Sequence, residues 1–308
     1  MQHLTLCIST YNRPGGLEKL LLSITRQKGI EKYNTEISIA IADNQTPPAT
    51  ELIAERFRKE YGFPIFWQHE PTQGITFARN TSYKLAAGAD LCLFVDDDEE
   101  LDEYCIAELL RVKQEFKADM VYGNNPPVFM KENVPPWIKV FFESKGGEDG
   151  QELLYAATNC LLVDKAVLKG IKEPFDHGFR HSGGEDTFLT ISLLKKGAKL
   201  VKSAKAKAYE QIPPERCSVK WILKRTKHEA AIFSLILMRL DFGKWAIPKR
   251  LIKLMIKLIR GLLLSILYFV FTRKKKLTGL MLIWDAVGGY LGFVGYQKLF
   301  THTDITQE

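Results

Sequence analysis

The chain has 308 residues, 46% of them hydrophobic and 11% aromatic, with a formal net charge of +7. That composition excludes a disordered or low-complexity protein and suits one α/β core with an added segment, not two large domains. The charge is unevenly divided: residues 1–198 hold 22 Lys/Arg against 29 Asp/Glu, whereas residues 199–276 hold 20 against 4.

Met1-Gln2-His3 leads directly into the apolar run Leu4–Ser9, which reads as a strand and is too short and polar for a leader's hydrophobic region, so a cytosolic start is expected. A helix is predicted over Gly16–Gln27, with Leu17, Leu20, Leu21 and Ile24 on one face. Next come a strand (Ile37–Ala42), a loop from Asp43 to Pro48, a helix (Ala49–Tyr61), a strand (Pro64–His69) and a helix (Thr76–Ala87). The strand Leu91–Val95, a helix over Tyr104–Lys117 and the strand Met120–Tyr122 complete a βαβ series, which predicts a mostly parallel sheet flanked by helices. Beyond Asn124 the pattern turns to loops, with Pro126, Pro127, Pro135 and Pro136 and a glycine-rich stretch at 146–150 that reads as mobile. Added strands are expected at Thr158–Val163 and Lys199–Lys202, around a helix Glu185–Lys196. Pro213-Pro214 marks the boundary between a catalytic-looking domain, 1–212, and a helical segment, 213–308. The five cysteines, at 7, 92, 105, 160 and 217, show no CxxC spacing, which argues against a disulfide framework or a zinc site and for a reducing compartment.

Asp96-Asp97-Asp98 closes the run Leu91–Val95. Carboxylates crowded at the end of a buried strand repel one another and call for a positive partner, and Mg²⁺ or Mn²⁺ with oxygen ligands meets that need. Open α/β sheets bind ligands at this edge. The other reading is a solvated acidic turn, because Glu99, Glu100, Asp102 and Glu103 follow at once.

In the C-terminal segment Lys249, Lys253, Lys257 and Arg260 recur along one helical face, and Gly261–Phe271 adds 11 uncharged, mostly apolar residues before Arg273–Lys276. A spanning helix needs roughly 20 apolar residues. This run therefore suits a helix lying in the interface of an anionic membrane, or one packed on the catalytic domain. It lacks the aromatic-interleaved basic pattern of single-strand binding, so no nucleic-acid partner is expected. The apolar stretch Leu291–Tyr296 is a candidate for pairing subunits.

Five segments in order resemble a family 2 glycosyltransferase of the GT-A fold, from residue 4 to about residue 216: Cys7–Arg13 with its TYNR turn, Ile39–Asn44, Gly74–Asn80, Phe94–Asp98, and Gly183-Gly184-Glu185-Asp186. The resemblance implies an inverting, metal-dependent enzyme that moves a sugar from a nucleotide donor, a UDP-sugar, to a lipid-linked saccharide or cell-surface polysaccharide intermediate. The expected place is the cytoplasmic face of the membrane, as a peripheral protein, with a soluble cytoplasmic enzyme as the fallback. Asp43, with an exposed carboxylate, is assigned to the uridine or ribose, the other reading being a loop cap. Thr10 and Tyr11 would flank the base, though Tyr11 equally suits simple packing. Arg13 belongs to the same nucleotide-binding turn. Arg79 would line the nucleotide site by organising the aspartates, or would be a surface helix residue. Asp96 takes the ribose side and Asp98 the Mn²⁺ or Mg²⁺, while Asp97 supports the loop. Asp186 is the general base and Glu185 contacts the acceptor or orients the site; the alternative is an acidic pair at a helix start. Glu210 stands where relatives carry a metal-binding His, and Arg216 is placed to reach the diphosphate. His177 and His181 are acceptor-side or merely exposed. A nucleotidyltransferase or a non-catalytic membrane scaffold is the rival reading.

Overall fold

The computed structural model describes residues 1–143, 147–180, 182–267 and 273–295. Gly146 of the glycine-rich loop, His181, residues 268–271 of the apolar run, the side chains of Arg273–Lys276 and Tyr296 lie outside the described residues.

The first part alternates β1 (Gln2–Thr10), α1 (Pro14–Thr25), β2 (Thr35–Asp43), α2 (Glu51–Tyr61), β3 (Ile65–His69), α3 (Ile75–Leu85) and β4 (Leu91–Asp96). These four strands run parallel in the order β3-β2-β1-β4. β1 and β4 are buried along almost their whole length, as central parallel strands covered on both faces must be. α1 starts on Pro14, whose missing N–H costs nothing in a first turn, and buries Leu17, Leu20, Leu21 and Ile24 at helical spacing.

The chain continues through β5 (Glu99–Leu101), α4 (Cys105–Phe116), β6 (Met120–Asn124), β7 (Pro127–Phe129), α5 (Pro136–Phe142), β8 (Leu161–Asp164), α6 (Glu185–Lys195) and β9 (Leu200–Ile212). Here the structure departs from the expected sheet. β8 lies between β4 and β6 and runs antiparallel to both, and β5 pairs antiparallel with β9, so the sheet is mixed. Parallel pairing needs a packed crossover, and the proline-rich chain after β6 returns without the regular strand–helix alternation of the first half. β9 is also much longer than Lys199–Lys202. Ala206 and Ala208 face inward between exposed Lys205 and Lys207, a period-two signal hidden by its lysines.

The chain forms two compact units, the first Met1–Val128, Ser144–Arg180 and Glu185–Gln211, the second Phe129–Glu143, His181–Gly184 and Ile212–Glu308. In the first, one sheet face packs on α1, α2 and α4, and the other on Phe175, Leu189 and Leu193. All five cysteines are free.

The second unit comprises α5, α7 (Val219–Arg239), α8 (Ala246–Leu267) and α9 (Arg273–Phe293). Val134, Ile138, Ile212, Ile222 and Leu277 form its core, with Trp137, Phe142 and Trp221 packed on them. Ser218 caps α7 by accepting from the Trp221 N–H at 3.2 Å. Gly288 and Gly292 of α9 lie directly against the Lys227 and Ala231 carbonyls of α7, so Gly292, within the stretch read as a subunit contact, is used in packing inside the chain. No described helix is long and apolar enough to cross a membrane. Lys257 leaves the predicted basic face: half-buried, it pairs with Asp285 of α9 at 2.7 Å.

Candidate active site

Strand register builds the site. Thr10 lies beside Asp43 and Ser9 beside Asp96, so the ends of β1, β2 and β4 bring these groups to one sheet edge. Asp43 is 1% exposed, which corrects the expectation of an exposed carboxylate. Its Oδ2 accepts from the Ala49 and Thr50 N–H groups and the Thr50 hydroxyl, and its Oδ1 from the Gln45 N–H. Asp43 thus shapes the loop from β2 into α2. Asn44 beside it donates to the Glu70 and Thr72 carbonyls and accepts from the Gly74 N–H, tying that edge to the start of α3. Gly74 has φ of +135°, and a Cβ there would lie 3.2 Å from the Arg180 carbonyl, so the approach requires glycine.

The three aspartates point different ways. Asp97 turns inward and is 5% exposed; its carboxylate accepts from the Thr10 hydroxyl at 2.8 Å and from Arg13 at 3.2 Å. Burial pushes its pKa up to about 7, against the opposing pull of Arg13. Asp98 accepts from the same Arg13 guanidinium at 2.8 Å. Arg13 is held charged, the loss from burial being more than offset by Asp98 and Asp97. Gly16 in the first turn of α1 lets that helix approach: a Cβ there would sit 2.5 Å from the Asp97 carbonyl oxygen.

Arg79 of α3 is buried and forks between two carboxylates. One nitrogen donates to Asp96 Oδ1 at 2.8 Å and another to Glu185 Oε1. Burial would weaken its charge, but Asp96 and Glu185 more than restore it. Glu185 is 2% exposed, and its burial raises its pKa to about 7 although Arg79 pulls it down. One guanidinium therefore joins the end of β4 to the start of α6. Asp186, next along α6, is half-buried and accepts from the Thr187 N–H.

The remaining expected residues are less tightly gathered. Tyr11 is 41% exposed on the bend after β1. Glu210, half-buried on β9, lies opposite Glu99 of β5. Arg216 belongs to the second unit, in a 3-10 turn with its guanidinium over the Trp221 ring at 5.8 Å. His177 stacks on Phe77 and contacts Thr76 and Glu173.

Sequence reasoning missed Glu99. Read as part of a solvated turn, it is 2% exposed at the head of β5, and the one cue in the sequence was apolar Leu101 two residues on, which shares its strand face. Burial holds its pKa well above the ordinary range, and the charges of Glu210, Asp98 and Asp96 add to that. Among the described residues no three His, Cys, Asp or Glu side chains form a metal cluster. Asp98 and Glu210 offer hard oxygen donors of the kind Mg²⁺ or Mn²⁺ takes, and too few such groups gather here for an all-protein cage.

Comparison with known proteins identifies the family and the fold. The model of the family described as glycosyl transferase family 2 matches residues 5–171, more than half of the chain. The succinoglycan biosynthesis protein ExoM of Rhizobium meliloti (strain 1021) is 28% identical over 235 residues, covering 72% of this chain and 71% of its own. Two solved structures share the fold. The mannosyltransferase PcManGT of Pyrobaculum calidifontis, in complex with GDP-Man and Mn²⁺, superposes with a TM-score of 0.62 at 14% identity, covering 93% of this chain and 86% of its own. Residues 1–349 of S. aureus TarS with UDP give 0.54 at 17% identity, covering 97% of this chain and 92% of that one. With a mixed α/β sheet of GT-A type and a carboxylate-lined edge, the chain belongs to glycosyl transferase family 2 and is a glycosyltransferase.

Proposed function

We infer that the enzyme transfers a sugar, with inversion, from a UDP-sugar to a hydroxyl of a lipid-linked saccharide or polysaccharide intermediate. The observation that carries this reading is the Arg79 fork, which fixes Asp96 and Glu185 together and so sets Asp186, the next residue, at the same edge. Asp186 is the general base. It takes the proton of the acceptor hydroxyl as that oxygen bonds to the anomeric carbon, while the bond from that carbon to the diphosphate oxygen breaks and the electron pair leaves with the nucleotide. Glu185 orients this end of α6.

Thr10, Tyr11 and the loop held by Asp43 form the nucleotide side, with Asp96 toward the ribose. Arg13 and Arg79 balance the aspartates there. Asp98 and Glu210 would hold Mn²⁺ or Mg²⁺, which supplies positive charge for the departing diphosphate. Arg216 is assigned to the diphosphate. The polysaccharide setting is supported by the ExoM likeness and the nucleotide donor by the ligands of the structural neighbours.

The second unit is read as the contact with an anionic membrane at its cytoplasmic face. Ile252, Met255, Ile256, Ile259, Leu263 and Ile266 make an exposed apolar stripe along α8, flanked by Lys249, Lys253 and Arg260.

The test measures thermal stabilisation by UDP and GDP, each with and without Mn²⁺, on the native chain and on Asp98→Ala and Asp186→Asn. UDP with Mn²⁺ is expected to stabilise the native chain and Asp186→Asn but not Asp98→Ala, and Asp186→Asn is expected to lose turnover. Stabilisation by neither nucleotide, or full turnover in Asp186→Asn, refutes the reading.

A further inference from the structure

Glu99 is buried without a structural reason of its own. Its Oε1 accepts from Asn159 Nδ2 at 3.3 Å, and its Oε2 has no partner among the described residues. The charges acting on it are acids, Glu210 first among them, while Arg13 and Arg79 are engaged with Asp97, Asp98, Asp96 and Glu185. A buried carboxylate oxygen left unpaired is costly, and a native fold that keeps one calls for an explanation.

The surroundings hold that oxygen in place. The Tyr122 hydroxyl donates to Asn159 Oδ1 at 3.0 Å, which turns the Asn159 amide N–H toward Glu99. Asn125 donates to the Asn159 carbonyl at 3.4 Å, and the Gly123 N–H donates to the Cys160 carbonyl at 2.9 Å, so the end of β6 and the loop entering β8 are joined. In these same two segments three further buried oxygens have no partner among the described residues: Asn124 Oδ1, Asn125 Oδ1 and Thr158 Oγ1. Two of the four unpaired atoms, the amide oxygens of Asn124 and Asn125, can only accept, and the Glu99 and Thr158 oxygens can accept as well. Buried acceptors left without partners in these adjoining segments suit a ligand that donates several hydrogen bonds. The esterified diphosphate of a nucleotide sugar carries no hydrogen-bond donor at neutral pH, whereas a sugar ring presents several hydroxyl donors.

We propose that Glu99, aimed by Asn159 and Tyr122 and assisted by Asn124, Asn125 and Thr158, selects the transferred sugar by accepting hydrogen bonds from its ring hydroxyls. Glu99 directly follows Asp98, so the sugar joined to a diphosphate bound there lies beside it. This rests on the nucleotide-sugar reading above.

The experiment titrates the full chain, with Mn²⁺, against UDP, UDP-glucose, UDP-galactose, UDP-N-acetylglucosamine, UDP-glucuronate, GDP and GDP-mannose, and compares Glu99→Gln and Asn125→Ala with the native protein. A site built to bond a substrate hydroxyl discriminates strongly, and replacing one carboxyl oxygen with an amide NH2 is expected to cut the ratio between the best and next-best sugar about tenfold or more. Affinities for Mn²⁺ and for the bare diphosphate are expected to stay within about twofold, because the proposal gives these acceptors no part in binding either. An unchanged sugar ranking in Glu99→Gln overturns the proposal, as does an equal loss of Mn²⁺, diphosphate and sugar binding, which would make Glu99 a cation ligand. Asn125→Ala decides the matter in the same way should Glu99→Gln fail to fold. If the native chain binds the nucleotides without distinguishing sugars, this proposal alone fails. If it binds no nucleotide, the donor reading fails and this one with it.

Discussion

Replacing Arg79 with Met tests the joint on which the site depends. The side chain is 10% exposed, and Met fills much of its volume while leaving Glu185, 3% exposed, and Asp96, 34% exposed, without their partner. Breaking a buried ion pair from one side costs about 3–5 kcal/mol, most of it from the charge left behind. Here most of that falls on Glu185, because Asp96 can turn to water. Chemical denaturation in urea reads the loss directly: at about 3 kcal/mol per M, suited to a chain of this size, the midpoint drops by about 1 M or more. Adding Glu185→Gln removes the stranded charge, so the double variant is expected to recover about 1–3 kcal/mol of the deficit. The Arg79→Met deficit must also shrink as pH falls from 8 to 5. Without Arg79 the folded-state Glu185 takes a proton more readily than it already does near pH 7, whereas in the unfolded chain it stays ionised down to about 4.3. A single-variant cost below about 1 kcal/mol, or strict additivity with Glu185→Gln, would refute the claim that Arg79 holds β4 and α6 together through these two acids.

Asp97 is raised by burial to about 7 when folded and is ordinary when unfolded, so the folded state binds the extra proton and stability falls as pH rises from about 4 to 7. Asp97→Asn is expected to flatten that slope by as much as about 4 kcal/mol across the window, measured by thermal denaturation at stepped pH. His228 of α7 behaves oppositely: its Nε2 bonds the Ser182 carbonyl at 2.6 Å, and burial lowers its pKa to about 4. The unfolded chain then binds more protons between about 4 and 6.5, so stability is lost as pH falls through that range, and His228→Gln should reduce the slope while its amide still donates to Ser182. Gly16→Ala should cost about 1–3 kcal/mol and weaken binding of UDP with Mn²⁺, since the new methyl meets the Asp97 carbonyl. Ile256→Glu with Ile259→Glu should abolish co-sedimentation with phosphatidylglycerol vesicles and leave the melting point nearly unchanged, both side chains being about half exposed; undiminished binding would remove α8 from the membrane contact.

The first half of the fold was legible because parallel strands and their covering helices carry strong, opposite periodicities. Leu17, Leu20, Leu21 and Ile24 mark α1, and the unbroken apolar run Leu91–Val95 marks β4. Legibility failed where charge and structure disagree. Lys205 and Lys207 disguised the alternation of β9, and four acids in the five residues 99–103 made Glu99 look solvated although Leu101 beyond it is buried. The mixed sheet was hidden for another reason. Strand direction at β8 depends on how the chain returns after β6, and no local periodicity records that.

The candidate site shows the same limit at the level of single residues. Sequence pattern named Asp43, Arg79, Asp96, Asp98, Glu185 and Asp186, yet a residue type cannot say which partner it meets. Asp43 bends the β2–α2 loop around itself, and Arg79 reaches Glu185, 106 positions away, as well as Asp96. Arg13 adds the third clamp, on Asp97 and Asp98. Each of these contacts holds an acid at the strand edge that would otherwise repel its neighbours, and two of the acids, Asp97 and Glu185, have burial driving them toward protonation at neutral pH. Asp98 and Asp186 are the acids assigned to the ion and the acceptor proton, and each sits one residue beyond an acid so restrained. The clamps thus let a crowded acidic edge persist in the absence of substrate. The arginines fix where the carboxylates stand, and the proposed cation, brought in with a diphosphate, would complete the balance of charge.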